Sequence, residues 1–513
     1  MSKNLLKSTS LVSFMTFQSR ILGFVRDMVI AHMFGAGASM DAFLVAFKIP
    51  NFMRALFAEG SFSQAFVPVI SEYKEKCSHE QVQSFIRDVA GTLSVALLII
   101  TCLAMLATPW VVKLFAPGFV VGEMRFTLAT EMLRITFPYL MLISLTAMAG
   151  AVLNSYSKFG VASFTPVLLN VCLIAAALWL SPFFAIPIKA LAWGVFTAGV
   201  VQLLFQLPFL HQLRFLSWPR FNWRDEGVKR VLKLMIPALF GVTVGQINLL
   251  LSTIFASFLQ VGSVSWLYYS DRLSSFPLGV FGVALGTVVL PYLSRKHATQ
   301  APEDFAKALD WGLRCVFLIG LPASLGLAIL AGPLLTTLFQ YGHFNARDVM
   351  MSSKSLLAFA FGVQAFMLVK VLAPGFYARQ NIRTPVKIGM IAVASNIILN
   401  AILVWPLAHA GLALGTTLAA WINAVLLYIY LHKSGVYRLS KAWYGFSWRL
   451  VLANGMMSFW LVWENVPLEQ WLQWHAMQRA THMLILLGGA VVSYLLCLSL
   501  TGVRWHHFRL HEG

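Results

Sequence analysis

The sequence predicts an all-α polytopic membrane protein with fourteen transmembrane helices: two six-helix parallel repeats followed by two extra C-terminal helices. Three observations lead there. Of 513 residues, 59% are hydrophobic and only 11% charged, with a mean hydropathy of +0.75, whereas a soluble chain carries roughly a quarter charged residues. The apolar residues gather into segments of about 20 or more, the length a helix needs to cross a bilayer. Blocks in the first half also return in the second, displaced by about 220 residues.

Taken in order, span 1 covers 8–34 and span 2 covers 41–71, separated by the FGAGAS turn. Span 3 (88–112) runs out through KLFAPGF, and span 4 covers 127–152. Span 5 (161–181) ends at SPFFAIP, whose two prolines stop a helix. Span 6 (186–210) leads into a basic segment from Arg214 to Lys233, and span 7 covers 231–258. LQVGS opens span 8 (265–293), and span 9 (308–338) runs out through TLFQYGHF. Spans 10 (351–376), 11 (385–406) and 12 (411–431) follow, the last two joined by PLAHAG. Spans 13 (445–463) and 14 (480–502) complete the set. No connection is long enough for a soluble domain. The first segment carries charges and lacks a small-x-small site, so a cleaved signal peptide is not expected. Four of the five cysteines lie within spans, which does not suit an exported disulfide framework.

The net charge of +19 could mean nucleic acid or membrane topology. Its distribution favours topology. With the N-terminus inside, most Lys and Arg fall in cytoplasmic loops and tails, and the opposite face keeps Lys113, Arg125, Lys189, Arg347, Lys354 and Arg479. That is the positive-inside pattern, with both termini cytoplasmic and no nucleic-acid partner.

The repeat is read from ordered matches. FVPVISEY at the end of span 2 matches VVLPYLSR at the end of span 8, pairing Pro68 with Pro291 and Ser71 with Ser294. VLNSYSKFGVASFTP matches VLAPGFYARQNIRTP, Thr165-Pro166 falling on Thr384-Pro385. Six spans separate the copies, so both enter the membrane in the same direction, and transporters use the interface between such repeats as a cavity. The expected domains are 1–212, 213–440, and a C-terminal pair at 441–513.

Seven cations remain at membrane depth: Arg20, Arg26, Lys48, Arg54, Arg134, Arg272 and Lys370. Two of them stand in SRILGFVRD (19–27), inside an otherwise oily span. Each Arg or Lys at a helix centre costs about 2.5–3.5 kcal/mol, so these residues must face an interior or a wet cavity. The acids nearby are Asp27, Asp41, Glu59 and Asp271. The bland reading makes them interhelical ion pairs, with Asp41 a helix N-cap. The cations outnumber the acids, however, and surplus charge in a dry bundle is costly. A hydrated cavity that receives an anion removes the difficulty, with Asp27 and Asp41 orienting arginines. Arg suits phosphate because its planar fork donates two hydrogen bonds at once. A phosphate or pyrophosphate headgroup is the expected ligand. Scattered histidines show no metal spacing and there is no P-loop, so neither metal nor nucleotide cofactor is expected.

Spans 1 and 2 resemble the MurJ (MviN) lipid II flippase family, within the multidrug/oligosaccharidyl-lipid/polysaccharide exporter superfamily. The matching residues are SRILGFVRD (19–27), FGAGASMDAF (34–43) and KIPNFMRALFAEGSFSQAFVP (48–68). GSVSWLYYSDRL (262–273) and LAPGFYARQNIRTPVKI (372–388) extend the resemblance over essentially the whole chain. It implies a non-enzymatic flippase in the bacterial inner membrane. Its substrate is undecaprenyl-pyrophosphate-linked peptidoglycan precursor, moved to the periplasmic leaflet by alternating access, with cell-wall synthesis proteins as partner candidates. It places the functional arginines on Arg20, Arg26, Arg54 and Arg272, the aspartate on Asp41 and a serine on Ser265. Lys48 and Asp27 join this set from the charge reading. It also makes spans 13 and 14 a lipid-tail groove. Some members are described with a sodium site that includes carboxylates. Spans 7, 11 and 12 offer Gln246, Asn248, Asn396, Asn400, Thr416 and Thr417 but no acid, which leaves a tight cation site doubtful. Two rival readings remain. A drug or cation antiporter of the same superfamily sits badly with an arginine-rich cavity, and a lipid-linked glycan polymerase would transfer glycan in purified liposomes.

Overall fold

The computed structural model describes residues 3–502. The side chains of 3–11, 13, 57–60, 240–245, 247–249 and 282–288, including Glu59 and Asn248, lie outside the described residues. Among the described residues all regular structure is helical.

The first span is α1 (Lys3–Phe34). The second is α2 (Ala38–Arg54), a π-helical stretch Ala55–Phe62, and α3 (Ser63–Lys76). Next come α4 (His79–Leu106) with α5 (Thr108–Phe115), then α6 (Met124–Thr136) with α7 (Pro138–Ser155). The helices α8 (Phe159–Ala175), α9 (Lys189–Gln212) and α10 (Glu226–Ser257) follow. A π-helical stretch Ala176–Leu180 follows α8, and span 8 is α11 (Ser263–Pro277), a third π-helical stretch Leu278–Gly282, and α12 (Val283–Ala298). Beyond it lie α13 (Pro302–Ile329), α14 (Ala331–Phe339), α15 (Ala346–Tyr377) and α16 (Arg383–Lys433). The chain closes with α17 (Ala442–Glu464), α18 (Leu468–Gln473) and α19 (Ala476–Leu500).

Eight described helical stretches are long and apolar enough to cross a membrane, among them His79–Leu106, Ala346–Tyr377 and Ala476–Leu500. The chain is therefore a multi-pass membrane protein. Spans 1, 2, 7, 8 and 13 fall outside those eight. Arg20, Arg26 and Asp27 dilute the first, and π-helical stretches break the second and eighth into shorter helices. Spans 11 and 12 are the two arms of α16, which folds back at Ala408, where φ is 47°. A side chain at Gly411 would put Cβ 2.1 Å from the Leu403 carbonyl oxygen, so the tight return requires glycine there.

The chain divides into two compact units, residues 1–265 and 266–513. In the first, Phe66 stacks between Phe62 and Phe85, and Val228 and Val231 of α10 close the same core. At the other end of α10, the Gly118 amide donates to Ser257 Oγ at 3.0 Å. Gln202 and Gln206 of α9 donate to the Thr165 carbonyl and hydroxyl.

In the second unit, α13, α15 and α16 share a core of Leu309, Val316, Val371, Leu372 and Leu427. The α17–α19 hairpin packs Leu450, Ala453 and Leu461 with Leu486 and Ala490. Asp310 of α13 accepts from Tyr437 Oη and Trp443 Nε1, both at 2.6 Å, and Tyr494 donates to the Leu318 carbonyl at 2.7 Å. Arg479, expected in a loop, is 5% exposed. Its guanidinium donates to the carbonyls of Trp471, Leu472, Thr336 and Gln340 at 3.0–3.2 Å. The last carbonyls of α14 and α18 point past their helix ends, Thr336's shared with the Gln340 amide, and partial negative charge collects there. A buried cation is thereby held without a carboxylate. Replacing Arg479 by Met should destabilise the protein by on the order of 3 kcal/mol, since several charge-assisted bonds go together. Thermal unfolding of the purified protein reads this directly, and Arg479→Lys should recover only part of the loss.

Candidate functional site

Arg26 and Asp27, adjacent in α1, form one pair. Nε and Nη2 of Arg26 donate to Asp27 Oδ1 at 2.9 and 2.6 Å. Asp27 is fully buried and Arg26 is 5% exposed. Asn170 of α8 completes the arrangement, accepting from Arg26 Nη1 at 3.0 Å and donating to the Ser19 carbonyl at 3.1 Å. The pair neutralises itself inside the bundle, which lowers the cost of carrying a guanidinium there, and Asn170 fixes the fork's direction. Arg20, six residues earlier in α1, is exposed.

Asp41 lies in the first turn of α2 and is fully buried. It does not cap its own helix, whose N-cap Gly37 makes no side-chain bond. Its Oδ2 accepts the Gly262 amide at 2.7 Å, and its Oδ1 accepts the Ser265 amide and hydroxyl at 2.9 and 2.6 Å. Those amides open α11 and lack intrahelical partners. Asp41 is thus a cap supplied from elsewhere in the sequence. Gly262 makes the geometry possible, since its φ of 97° is one that side-chain-bearing residues rarely adopt.

Lys48 is half-buried on α2 and donates to Thr253 Oγ1 of α10 at 3.3 Å. Arg54, also half-buried, is the last residue of α2 and donates from Nε to Asn51 Oδ1 at 3.3 Å. The π-helical stretch begins directly after it, and such stretches are frequent at functional sites. Arg134 donates to Thr108 Oγ1 at 3.0 Å, while Lys370 is exposed. In the second unit, Arg272 is half-buried with its guanidinium 5.8 Å from the Tyr268 ring centre, and Asp271 is exposed.

Two groupings result in the first unit: Arg26 with Asp27, and Asp41 with Ser265. Asn170 and Thr253 were missed by sequence reasoning. Asn170 had left a signal, since it is the lone amide in the apolar run PVLLNVCLI. Thr253 left none, because a threonine in an apolar helix usually bonds its own backbone. Among the described residues no group of three or more His, Cys, Asp or Glu could hold a metal ion. Asn396, Asn400 and Thr417 are buried, and the Thr416 and Thr417 hydroxyls donate to the carbonyls of Leu412 and Ala358.

The Asp41 cap can be measured as a coupling. Asp41→Asn leaves one acceptor where two oxygens served three donors, and Ser265→Ala removes one donor. Each should lower stability, and a double-mutant cycle on the thermal midpoint should return a coupling of about 1–3 kcal/mol. Strict additivity would mean the two residues do not depend on each other.

With this geometry in view, the chain can be set beside known proteins. The family model described as lipid II flippase MurJ matches residues 30–480. A probable lipid II flippase MurJ from Vibrio cholerae is 50% identical over 510 residues, covering 98% of this chain and 97% of that one. The lipid II flippase MurJ of Burkholderia cenocepacia is 43% identical over 452 residues, covering 87% and 88%. A structure of lipid II flippase MurJ in an inward closed conformation superposes with a TM-score of 0.80 at 27% identity, covering 96% and 98%. An inward-facing multidrug MATE family transporter of the MOP superfamily reaches 0.67 at 15% identity, covering 82% and 98%, a likeness of fold alone. With matches that run nearly end to end, this chain belongs to the MurJ lipid II flippase family.

Proposed function

We propose that this protein translocates lipid II, the undecaprenyl-pyrophosphate-linked peptidoglycan precursor, from the cytoplasmic to the periplasmic leaflet of the bacterial inner membrane. The observation that carries this reading is 50% identity, across nearly the full length of both chains, to a relative named as a lipid II flippase. The site chemistry supports it, because arginines kept at membrane depth suit a pyrophosphate better than an organic cation. The chain acts as a transporter rather than an enzyme, and it needs no cofactor.

The mechanism is alternating access by two six-helix lobes, 1–212 and 213–440, with 441–513 carrying the lipid tail and both termini cytoplasmic across fourteen crossings. Arg20, Lys48, Arg54 and Arg272 meet the pyrophosphate. Arg26 is presented by Asp27. Asp41 and Ser265 hold the head of α11, so their hydrogen bonds must break or shift whenever that turn moves. Cell-wall synthesis proteins are natural partners, since they consume the flipped product.

Leaflet accessibility of labelled lipid II, in vesicles holding only this protein, tests the reading directly. Arg54→Ala should abolish flipping and growth support while membrane levels stay near normal, and Arg54→Lys should restore only part. Arg26→Ala also strands Asp27 in an apolar interior, so its activity is best judged against Arg26→Lys, which keeps the charge. Full activity of Arg54→Ala would remove that residue from the mechanism.

Energy coupling gives a second outcome. No carboxylate stands among the polar residues of spans 7, 11 and 12. Flipping should therefore depend weakly on sodium and strongly on membrane potential. A negative interior favours return of an empty cationic cavity by about 2.3 kcal/mol per charge per 100 mV. Collapsing the potential should stall turnover. Activity that instead followed a sodium gradient at clamped potential would require a cation site among Gln246, Asn396, Asn400 and Thr416.

A further inference from the structure

The second unit carries a basic cavity built from none of the residues assigned to substrate. Its volume is about 720 Å³, and it opens among the ends of α12, α13, α15 and α16. Lys296, His297, Arg379 and Arg438 line it, with Glu303 the one lining carboxylate. Lys296 is already engaged, its Nζ 3.0 Å from Asp304. Arg379 and Arg438 enter no ion pair among the described residues. Two guanidinium forks thus share a cavity with no carboxylate bonded to either, an arrangement that suits the oxygens of a phosphate.

A second cavity, of about 280 Å³, has the opposite character. Leu372, Trp421, Val425, Tyr428, Leu439 and Trp443 form much of its wall. The segment between α16 and α17 serves both cavities. Val436 and Arg438 line the basic one, and Leu439 lines the apolar one, joined there by Trp443 of the first turn of α17. Tyr437, between Val436 and Arg438 in the chain, is buried and donates to Asp310 at 2.6 Å, which fixes the segment. A charged cavity and an apolar cavity are therefore separated by a single stretch of chain. Free phosphate would use only the first. A molecule with a phosphate and a hydrocarbon chain would use both, and indole and phenol rings are at home where headgroup meets acyl chain.

We infer that this pair of cavities holds an anionic phospholipid of the surrounding leaflet, its phosphate between Arg379 and Arg438 and an acyl chain against Trp421 and Trp443. Basic pockets between helices on the cytoplasmic side bind anionic headgroups in this way. The leaflet follows from the orientation proposed above, but binding does not depend on it or on flipping activity.

Native mass spectrometry of the full-length protein, incubated with phosphatidylglycerol or phosphatidylcholine, reads the binding. Phosphatidylglycerol should be retained in preference. The double substitution Arg379→Gln, Arg438→Gln should weaken its binding roughly tenfold or more and leave phosphatidylcholine unchanged. Ser434→Glu, which sets a carboxylate in the same lining, should act in the same direction without removing an arginine. Leu439→Ser should weaken phosphatidylglycerol through the apolar cavity alone. If the double variant fails to fold, judged by its elution profile, the Ser434 and Leu439 variants decide. Undiminished phosphatidylglycerol binding in the folded variants would overturn the site. Displacement of phosphatidylglycerol by millimolar glycerol 3-phosphate would overturn the lipid in favour of a soluble phosphate.

Discussion

A charged side chain at membrane depth has no bulk water to turn to, and this fold is organised around meeting each charge from within. Asp27 meets Arg26 in the same helical turn, and Asn170 reaches across from α8 to hold the pair. Asp41 is met by three donors at the head of α11. Arg479 is met by four carbonyls at two helix ends. An uncompensated buried charge costs several kcal/mol, more than most single packing contacts return. Helix positions are therefore tied to charge pairing, and whatever changes a pairing has a mechanical consequence. A flippase can use that link, because its substrate brings two phosphate groups into the same apolar surroundings.

Much of this was legible in the sequence, for physical reasons. Segment length and hydropathy located the helical spans, since a bilayer demands about 20 apolar residues per crossing. Charges at membrane depth stood out because they violate that rule, so Arg26, Asp27 and Asp41 could be picked from composition alone. Their partners could not. Whether Asp41 caps its own helix or another depends on tertiary approach, and nothing local to residues 37–41 encodes Gly262. Arg479 reads as a loop cation because it falls just before span 14 as hydropathy draws it (480–502), whereas α19 already begins at Ala476. Its burial comes from α14, more than a hundred positions earlier. The fold-back at Ala408 was marked by PLAHAG, but the need for glycine at 411 follows only from how near Leu403 comes.

The internal repeat extends beyond side-chain matches to irregularities of the backbone. α4 breaks at Ala107 and resumes as α5, while α13 breaks at Leu330 and resumes as α14. α2 gives way to a π-helical stretch at Ala55, and α11 gives way to one at Leu278. Each pair is separated by about 220 residues, the same displacement that relates the sequence blocks. A π-helical stretch is rare, and although the one at Ala176–Leu180 has no counterpart in the second copy, the pair at Ala55 and Leu278 stands at equivalent places, which argues for use rather than accident.

Arg54 gives that use a chemical setting. It is the last residue before the first π-helical stretch, and its Nε bond to Asn51 is long at 3.3 Å. In the second copy the equivalent place is Pro277, and the arginine of that helix, Arg272, lies more than a turn earlier. Pro cannot donate to the preceding turn and weakens the helix where it stands. The two copies thus weaken the helix at slightly different places, the second with proline at the point itself and the first with Pro50, one turn before Arg54. Only the first copy places a guanidinium directly at the soft point. A ligand that drew Arg54 away from Asn51 would act on the backbone where α2 is easiest to bend. If Arg54 meets the substrate's phosphate as proposed, binding of that phosphate and bending of the span would be joined in one residue.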